Sequence, residues 1–153
     1  MQIKLVHPGS SGRGPLDLAA RDYLDRVRKR CRAEEVYVKA SRRDDTALAL
    51  AEEADRVRAV CGTRDIIVAL DRTGRPLASE ALADHLGTWL LESPPALVFV
   101  LGSASGLDPA WLPTAHVRWS FGPLTLPHDL ARVVLWEQLY RAFTIREGGP
   151  YHK

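Results

Sequence analysis

Asparagine is absent from the 153-residue chain, and Met, Cys and aromatic residues are scarce: one Met, two Cys, and Phe, Trp and Tyr at 7% together. Cys31 and Cys61 stand without CxxC spacing or a neighbouring histidine, which excludes a disulfide-stapled scaffold or a zinc ribbon. Both read as reduced, structural residues late in two helices, and no metal is expected. No apolar run is longer than Ala96–Leu101, far short of the ~20 residues a membrane-spanning helix needs, so no membrane partner is expected. Met1 leads directly into a short strand-like run without a basic segment and a long apolar core, so no secretory leader is expected and the location implied is cytoplasmic. Net charge is small, 21 Lys and Arg against 19 Asp and Glu, and 46% of residues are hydrophobic, which excludes disorder.

What is present suits one domain over residues 1–153 with its own core. The basic residues are unevenly placed: Arg21, Arg26, Arg28, Lys29, Arg30, Arg32, Lys39, Arg42 and Arg43 crowd one early region. That is either a phosphate-binding face or the solvated side of a helix in an Arg-rich, Lys-poor chain. Periodicity predicts alternating elements. Gln2–His7 alternates as a strand, and a Gly/Ser loop, Pro8–Gly14, follows. Pro15 opens a helix reaching Cys31, with Leu16, Ala19, Ala20, Tyr23, Leu24, Val27 and Cys31 at helical spacing. A strand over Glu35–Ala40 precedes a helix capped by Asp44 or Asp45 and ending before Gly62. Asp65–Leu70 is near-continuously apolar, as in a strand buried on both faces, and Asp71–Pro76 reads as a turn. A helix over Ser79–Leu91, a strand over Ala96–Leu101, a glycine loop over Gly102–Gly106, a short capped turn over Asp108–Trp111, a strand over Val117–Phe121 and a helix over Asp129–Arg146 complete the chain. This order predicts an α/β fold: a parallel sheet flanked by helices, with a ligand site at the carboxyl ends of the strands.

Three loops follow the most apolar strands. Gly102–Gly106 lacks both the dinucleotide fingerprint and the Walker lysine, and Ala104 breaks the nucleophile elbow, leaving either a close-approach loop for a ligand or a plain strand-to-helix turn. Leu124-Thr125-Leu126-Pro127-His128 places apolar residues where a solvated connection would carry polar ones, so this loop is expected to be buried or to cover something. His128 opens the last helix, where the dipole favours a neutral imidazole; it is either a proton acceptor or a packing residue. On that helix Leu130, Val133, Val134, Leu139, Tyr140 and Phe143 form an apolar stripe, with Arg132, Glu137 and Arg141 standing off it. Glu137 and Arg141, four apart, make either a surface ion pair or a support that aims Arg141 at phosphate. The ending Tyr151-His152-Lys153 either frays or offers stacking and backbone contacts to RNA.

Taken together, Ala69-Leu70-Asp71, Leu101–Leu107, Leu124–His128, Arg132, Glu137–Ala142 and Pro150-Tyr151-His152-Lys153 closely resemble one family, the small SPOUT-class methyltransferases that modify N3 of a pseudouridine in large-subunit (23S) ribosomal RNA. The resemblance covers essentially the whole chain. It implies a trefoil-knotted fold, which no sequence rule suggests, a homodimer, and S-adenosylmethionine held by the three loops. Carried over by position, it implies cofactor contacts at Leu70, Gly102, Phe121, Gly122, Pro123, Leu124, Thr125 and Leu126. It places His128, Arg132, Glu137, Arg141, Tyr151 and His152 on the catalytic, substrate side, with the tail of one subunit completing the other's site and ribosomal RNA within the ribosome as partner. His128 is then the candidate base, and Arg132 or Arg141 the stabiliser of the developing anion. Two departures stand out: Ser103 replaces the second glycine of the family's loop, and His7-Pro8-Gly9-Ser10 replaces a Gly-Lys step, so a phosphate contact there is either missing or supplied by Arg13. Two other readings stay open on the residues alone: a non-catalytic module that holds RNA on the basic face, and a binder of a nucleotide-like metabolite.

Overall fold

The computed structural model describes residues 1–10 and 12–153; Ser11, in the loop after the first strand, lies outside the described residues. The chain runs β1 (Gln2–Pro8), α1 (Pro15–Arg28), β2 (Arg32–Val38), α2 (Thr46–Val60), β3 (Ile66–Pro76), α3 (Ser79–Glu92), β4 (Ala96–Leu101), a 3₁₀ turn (Leu112–Thr114), β5 (Val117–Ser120) and α4 (His128–Arg146). The strands form one parallel sheet of order β2-β1-β4-β3-β5. The α/β reading and its parallel sheet hold.

Helices cover both faces. On one side α1, α3 and α4 close over Ile3, Leu5, Val68, Leu97, Phe99 and Trp119; on the other, α2 and the 3₁₀ turn close over Val6, Val38, Ala69, Val98 and Val100. Such two-sided burial explains the continuous apolar run of β4, whose first five residues are all buried. The strand read over Gln2–His7 is present and runs one residue further, to Pro8. β1 lies between β2 and β4, with Ile3 opposite both Ala33 and Leu97, and its last four residues, His7 included, are buried.

Other departures are local. The helix read as reaching Cys31 ends at Arg28, where Lys29 and Arg30 turn back on the Arg26 and Val27 carbonyls, so β2 begins at Arg32 rather than Glu35 and ends at Val38. Asp45, not Asp44, caps α2, its carboxylate accepting from the Leu48 amide at 2.9 Å. The Asp71–Pro76 turn is part of β3, but as an excursion: Leu70 and Arg75 both pair with Trp119, so the residues between them leave the ladder and return. β5 ends one residue early, at Ser120.

The buried face of α4 also differs from the expected stripe. Ala131, Arg132, Leu135, Trp136, Leu139, Ala142 and Phe143 are buried, whereas Leu130, Val133, Val134 and Tyr140 are half-buried. Arg132 therefore does not stand off the stripe. It is 1% exposed, because Asp17 of α1 and Glu35 of β2 converge on its guanidinium.

Candidate active site

The carboxyl ends of β3, β4 and β5 surround a cavity of about 660 Å³, within the range of small-molecule sites. Three loops build it. From β3 come Leu70 and the excursion residues Asp71–Thr73; from β4, Leu101–Leu107; from β5, Phe121, Gly122, Leu124, Thr125 and Leu126. Seven of the eight positions expected to contact cofactor line it, and Pro123 does not. The Gly102 loop folds on itself: the Gly106 amide donates to the Ser103 carbonyl at 2.9 Å, and a Cβ at Gly102 would sit 2.3 Å from the Gly106 carbonyl oxygen. Only glycine fits there. Ser103, by contrast, bridges to Gly106 without a positive φ, so a second glycine is not needed for the backbone. Gly122 has φ +109, and its amide donates to Ser120 Oγ at 3.1 Å, which turns the chain off β5 toward the cavity. Of the two roles expected for the Leu124 loop, burial or cover, it takes the second. Pro123, Leu124 and Thr125 are exposed, Leu124 at 76%, at the mouth of the cavity.

His128, the first residue of α4, is tied to the cavity wall at Gly102. Its Nδ1–H donates to the Gly102 carbonyl at 3.1 Å, and its Nε2 lies 2.8 Å from Nδ1 of His7. Burial, followed by the neighbouring His7, holds its pKa below the ordinary 6.5. Both ring nitrogens are thus engaged within the protein, and His128 acts as a base only by releasing one of them. Sequence reasoning missed His7. Its signal was an ionisable ring directly after Leu5 and Val6 at the end of a strand.

Behind His128 lies a charged cluster. Arg132 donates through Nη1 to Asp17 at 2.6 Å and through Nη2 to Glu35 at 2.8 Å; Tyr37 and the Trp136 indole donate to the same Glu35 carboxylate at 2.7 and 2.8 Å. The hydrogen bond from Arg132 holds the Asp17 pKa low against burial. Burial would raise Glu35, but its contacts with His7, Arg132, Tyr37 and Trp136 outweigh that and keep it far below the usual carboxylate range. Arg132 is committed to these carboxylates and does not reach the cavity as an anion stabiliser.

The remaining expected residues meet elsewhere on α4. Arg141 Nε donates to Glu137 at 3.0 Å, Tyr151 donates to the same carboxylate at 2.9 Å, and the Arg141 guanidinium lies 4.7 Å above the Tyr151 ring. His152 Nε2 is 3.0 Å from Glu80 and its Nδ1 is 3.4 Å from Arg141. The tail is therefore docked rather than frayed. With a helical rise of about 1.5 Å per residue, Glu137 and Arg141 stand roughly 14 and 20 Å along α4 from His128. Within one chain the two halves of the expected site do not converge. The basic region is also spread out: a groove of about 500 Å³ lined by Arg28, Lys29, Arg30 and Arg32 opens at the amino ends of β1 and β2, opposite the cavity. Several of its charges are paired, Arg26 with Asp22, Arg28 with Asp25 and Arg30 with Glu147.

Loops at the carboxyl ends of a parallel sheet, a glycine that cannot be replaced and a helix that begins beside the cavity make a ligand site of the kind open α/β folds carry, and comparison with known proteins gives the class, a SPOUT methyltransferase. The family described as predicted SPOUT methyltransferase matches residues 1–152, and the chain belongs to it. The chain is 45% identical over 134 residues to the ribosomal RNA large subunit methyltransferase H of Solidesulfovibrio magneticus, covering 88% of this chain and 87% of that protein. It is 36% identical, over the full length of both, to the protein of the same name from Streptococcus equi subsp. zooepidemicus. The fold recurs in a probable methylase family protein from Haemophilus influenzae (TM-score 0.57, 16% identity, 99% of this chain and 70% of that one) and in a probable methyltransferase from Bordetella pertussis (0.55, 16%, 92% and 95%).

Proposed function

We propose that the protein transfers a methyl group from S-adenosylmethionine to N3 of a pseudouridine in 23S ribosomal RNA, on the assembled ribosome in the cytoplasm, as a homodimer of one-domain chains. The observation that carries this reading is the cavity, which gathers seven of the eight cofactor positions expected from the motifs, in a chain whose relatives bear the name of ribosomal RNA methyltransferases. Its volume and its backbone-rich, glycine-opened wall suit a nucleoside with an amino-acid tail. We also infer the trefoil knot: β4 enters the sheet between β1 and β3, and α4 returns across the β4 loop, where His128 holds Gly102.

S-adenosylmethionine supplies a methyl on a sulfonium, a leaving group that needs little activation. The chain's own part is to orient and to manage one proton. As the methyl passes from sulfur to N3, the N3 proton departs to a base or to water. His128 serves as base once Nε2 lets go of His7. With Arg132 buried in its ion pairs, stabilisation of the developing N3 anion falls to Arg141, which Glu137 and Tyr151 hold in place. Because these groups stand far along α4 from the cavity of their own chain, the site is completed by the tail of a second copy. Transfer of labelled methyl from S-adenosylmethionine, offered ribosomes lacking the modification beside free ribosomal RNA, tests the function: label in methylpseudouridine on ribosomes is expected, and none on either substrate with cofactor bound sinks it.

A further inference from the structure

β1 ends in a histidine that is 1% exposed. The ring of Tyr37 stands edge-on to it at 4.7 Å between centroids, and that of His128 lies at 4.8 Å. A buried imidazole is costly unless its nitrogens find partners. Nδ1 of His7 has two, His128 Nε2 at 2.8 Å and the Pro8 carbonyl at 3.3 Å. Nε2 has no hydrogen-bond partner among the described residues and faces Glu35 Oε2 at 3.7 Å, an ion-pair separation too long for a hydrogen bond.

The direction of these bonds follows from their far end. A carbonyl only accepts, so His128 Nδ1 donates to Gly102. In a neutral ring that leaves His128 Nε2 as an acceptor, and the hydrogen of the 2.8 Å bond comes from His7 Nδ1. The one open place for a proton in the pair is then Nε2 of His7. Beside it stand Glu35 and Tyr37 from β2. Arg132 of α4 ties Glu35 in turn to Asp17 of α1 and to Asp129.

We propose that His7 is a positioning residue of the donor site: its Nδ1–H holds His128 in the tautomer that fixes the Gly102 carbonyl. The consequence for function rests on reading the cavity as the S-adenosylmethionine site, because Gly102 opens the loop that lines it.

Histidine-selective ¹⁵N labelling, with ring correlations followed from about pH 5 to 8, reads the tautomer and charge of each ring directly. Neutral wild-type His128 is expected to carry its proton on Nδ1 and a bare Nε2. In His7→Phe, which keeps bulk without a donor, His128 shifts toward the Nε2–H tautomer and affinity for S-adenosylmethionine, measured by calorimetry, falls about threefold to tenfold, the span of one neutral hydrogen bond. His7→Asn, whose amide donates in place of Nδ1, retains the tautomer and most of the affinity. Should His7→Phe fail to fold, the wild-type and His7→Asn spectra decide the matter. Wild-type His128 carrying its proton on Nε2 overturns the proposal, as does a His7→Phe protein with unchanged tautomer and affinity. If wild-type protein binds no S-adenosylmethionine, the reading of the cavity fails, while the ring spectra still judge His7.

Discussion

Arg132 joins two carboxylates from distant parts of the chain, with Asp17 Oδ1 2.6 Å from Nη1 and Glu35 Oε2 2.8 Å from Nη2. Asp17 is tied further to the start of α1, where it accepts from the Gly14 amide at 3.1 Å. Removing the cation strands two buried negative charges. Arg132→Met is therefore expected to lower unfolding free energy by about 3–5 kcal/mol, measured by urea denaturation, and adding Glu35→Gln to it should restore part of the loss. A loss below about 1 kcal/mol would mean the pairs act as exposed ones do. The sequence could not disclose this role, because Asp17 and Glu35 lie 115 and 97 residues away and helical spacing puts Arg132 among the polar positions of α4. His7 was hidden in the same way. Its importance comes from a ring 121 residues later.

At the scale of elements, the β4 loop is the part of the site with the least freedom. Gly102→Ala places a methyl 2.3 Å from backbone oxygen that has no room to withdraw, so the loop must shift. S-adenosylmethionine affinity is expected to fall more than about tenfold while thermal stability changes little; unchanged affinity in calorimetry would show that the loop does not form the cofactor wall. This element was legible, since a glycine-rich segment after a fully apolar strand of a parallel sheet marks a ligand loop by position alone. The β3 excursion was legible only in part. Asp71-Arg72-Thr73-Gly74 carries turn residues and does leave the ladder, but Arg75 and Pro76 rejoin β5, and re-pairing after an excursion depends on a strand still to come in the sequence. The Leu124 loop takes the second of its two expected roles: it is not buried but covers the cavity mouth. Leu124 stays exposed at the cavity mouth, where a ligand or a second chain would cover it.

Across the whole molecule, buried charge ties stability to pH. The pKa values of Asp17 and Glu35 lie below their ordinary values of 3.8 and 4.5 in the folded chain, so the unfolded chain binds more protons in acid. Their contribution is full above about pH 4.5 and is lost as pH falls through the folded-state values. His128, held below its ordinary 6.5, acts in the same direction below about pH 6.5. Urea unfolding from pH 7 to 3 should therefore show stability falling with acid, more shallowly in Arg132→Met; a flat profile would contradict the buried cluster. The alternation of strands and helices made the layered fold readable from the sequence, whereas the order β2-β1-β4-β3-β5 was not, since crossovers leave no periodic trace.

We propose that one site is shared between two chains, its cavity in one and its Glu137–Arg141–Tyr151 tail cluster in the other. Gly102→Val and Arg141→Ala proteins, each expected to be inactive alone, should be mixed under conditions that exchange subunits, and methyl transfer to ribosomes should be measured. Random pairing makes half the dimers mixed, each with one of two sites intact, so activity should recover to about a quarter of wild type. No recovery, with mixed dimers demonstrated, would place the whole site within a single chain and contradict the account.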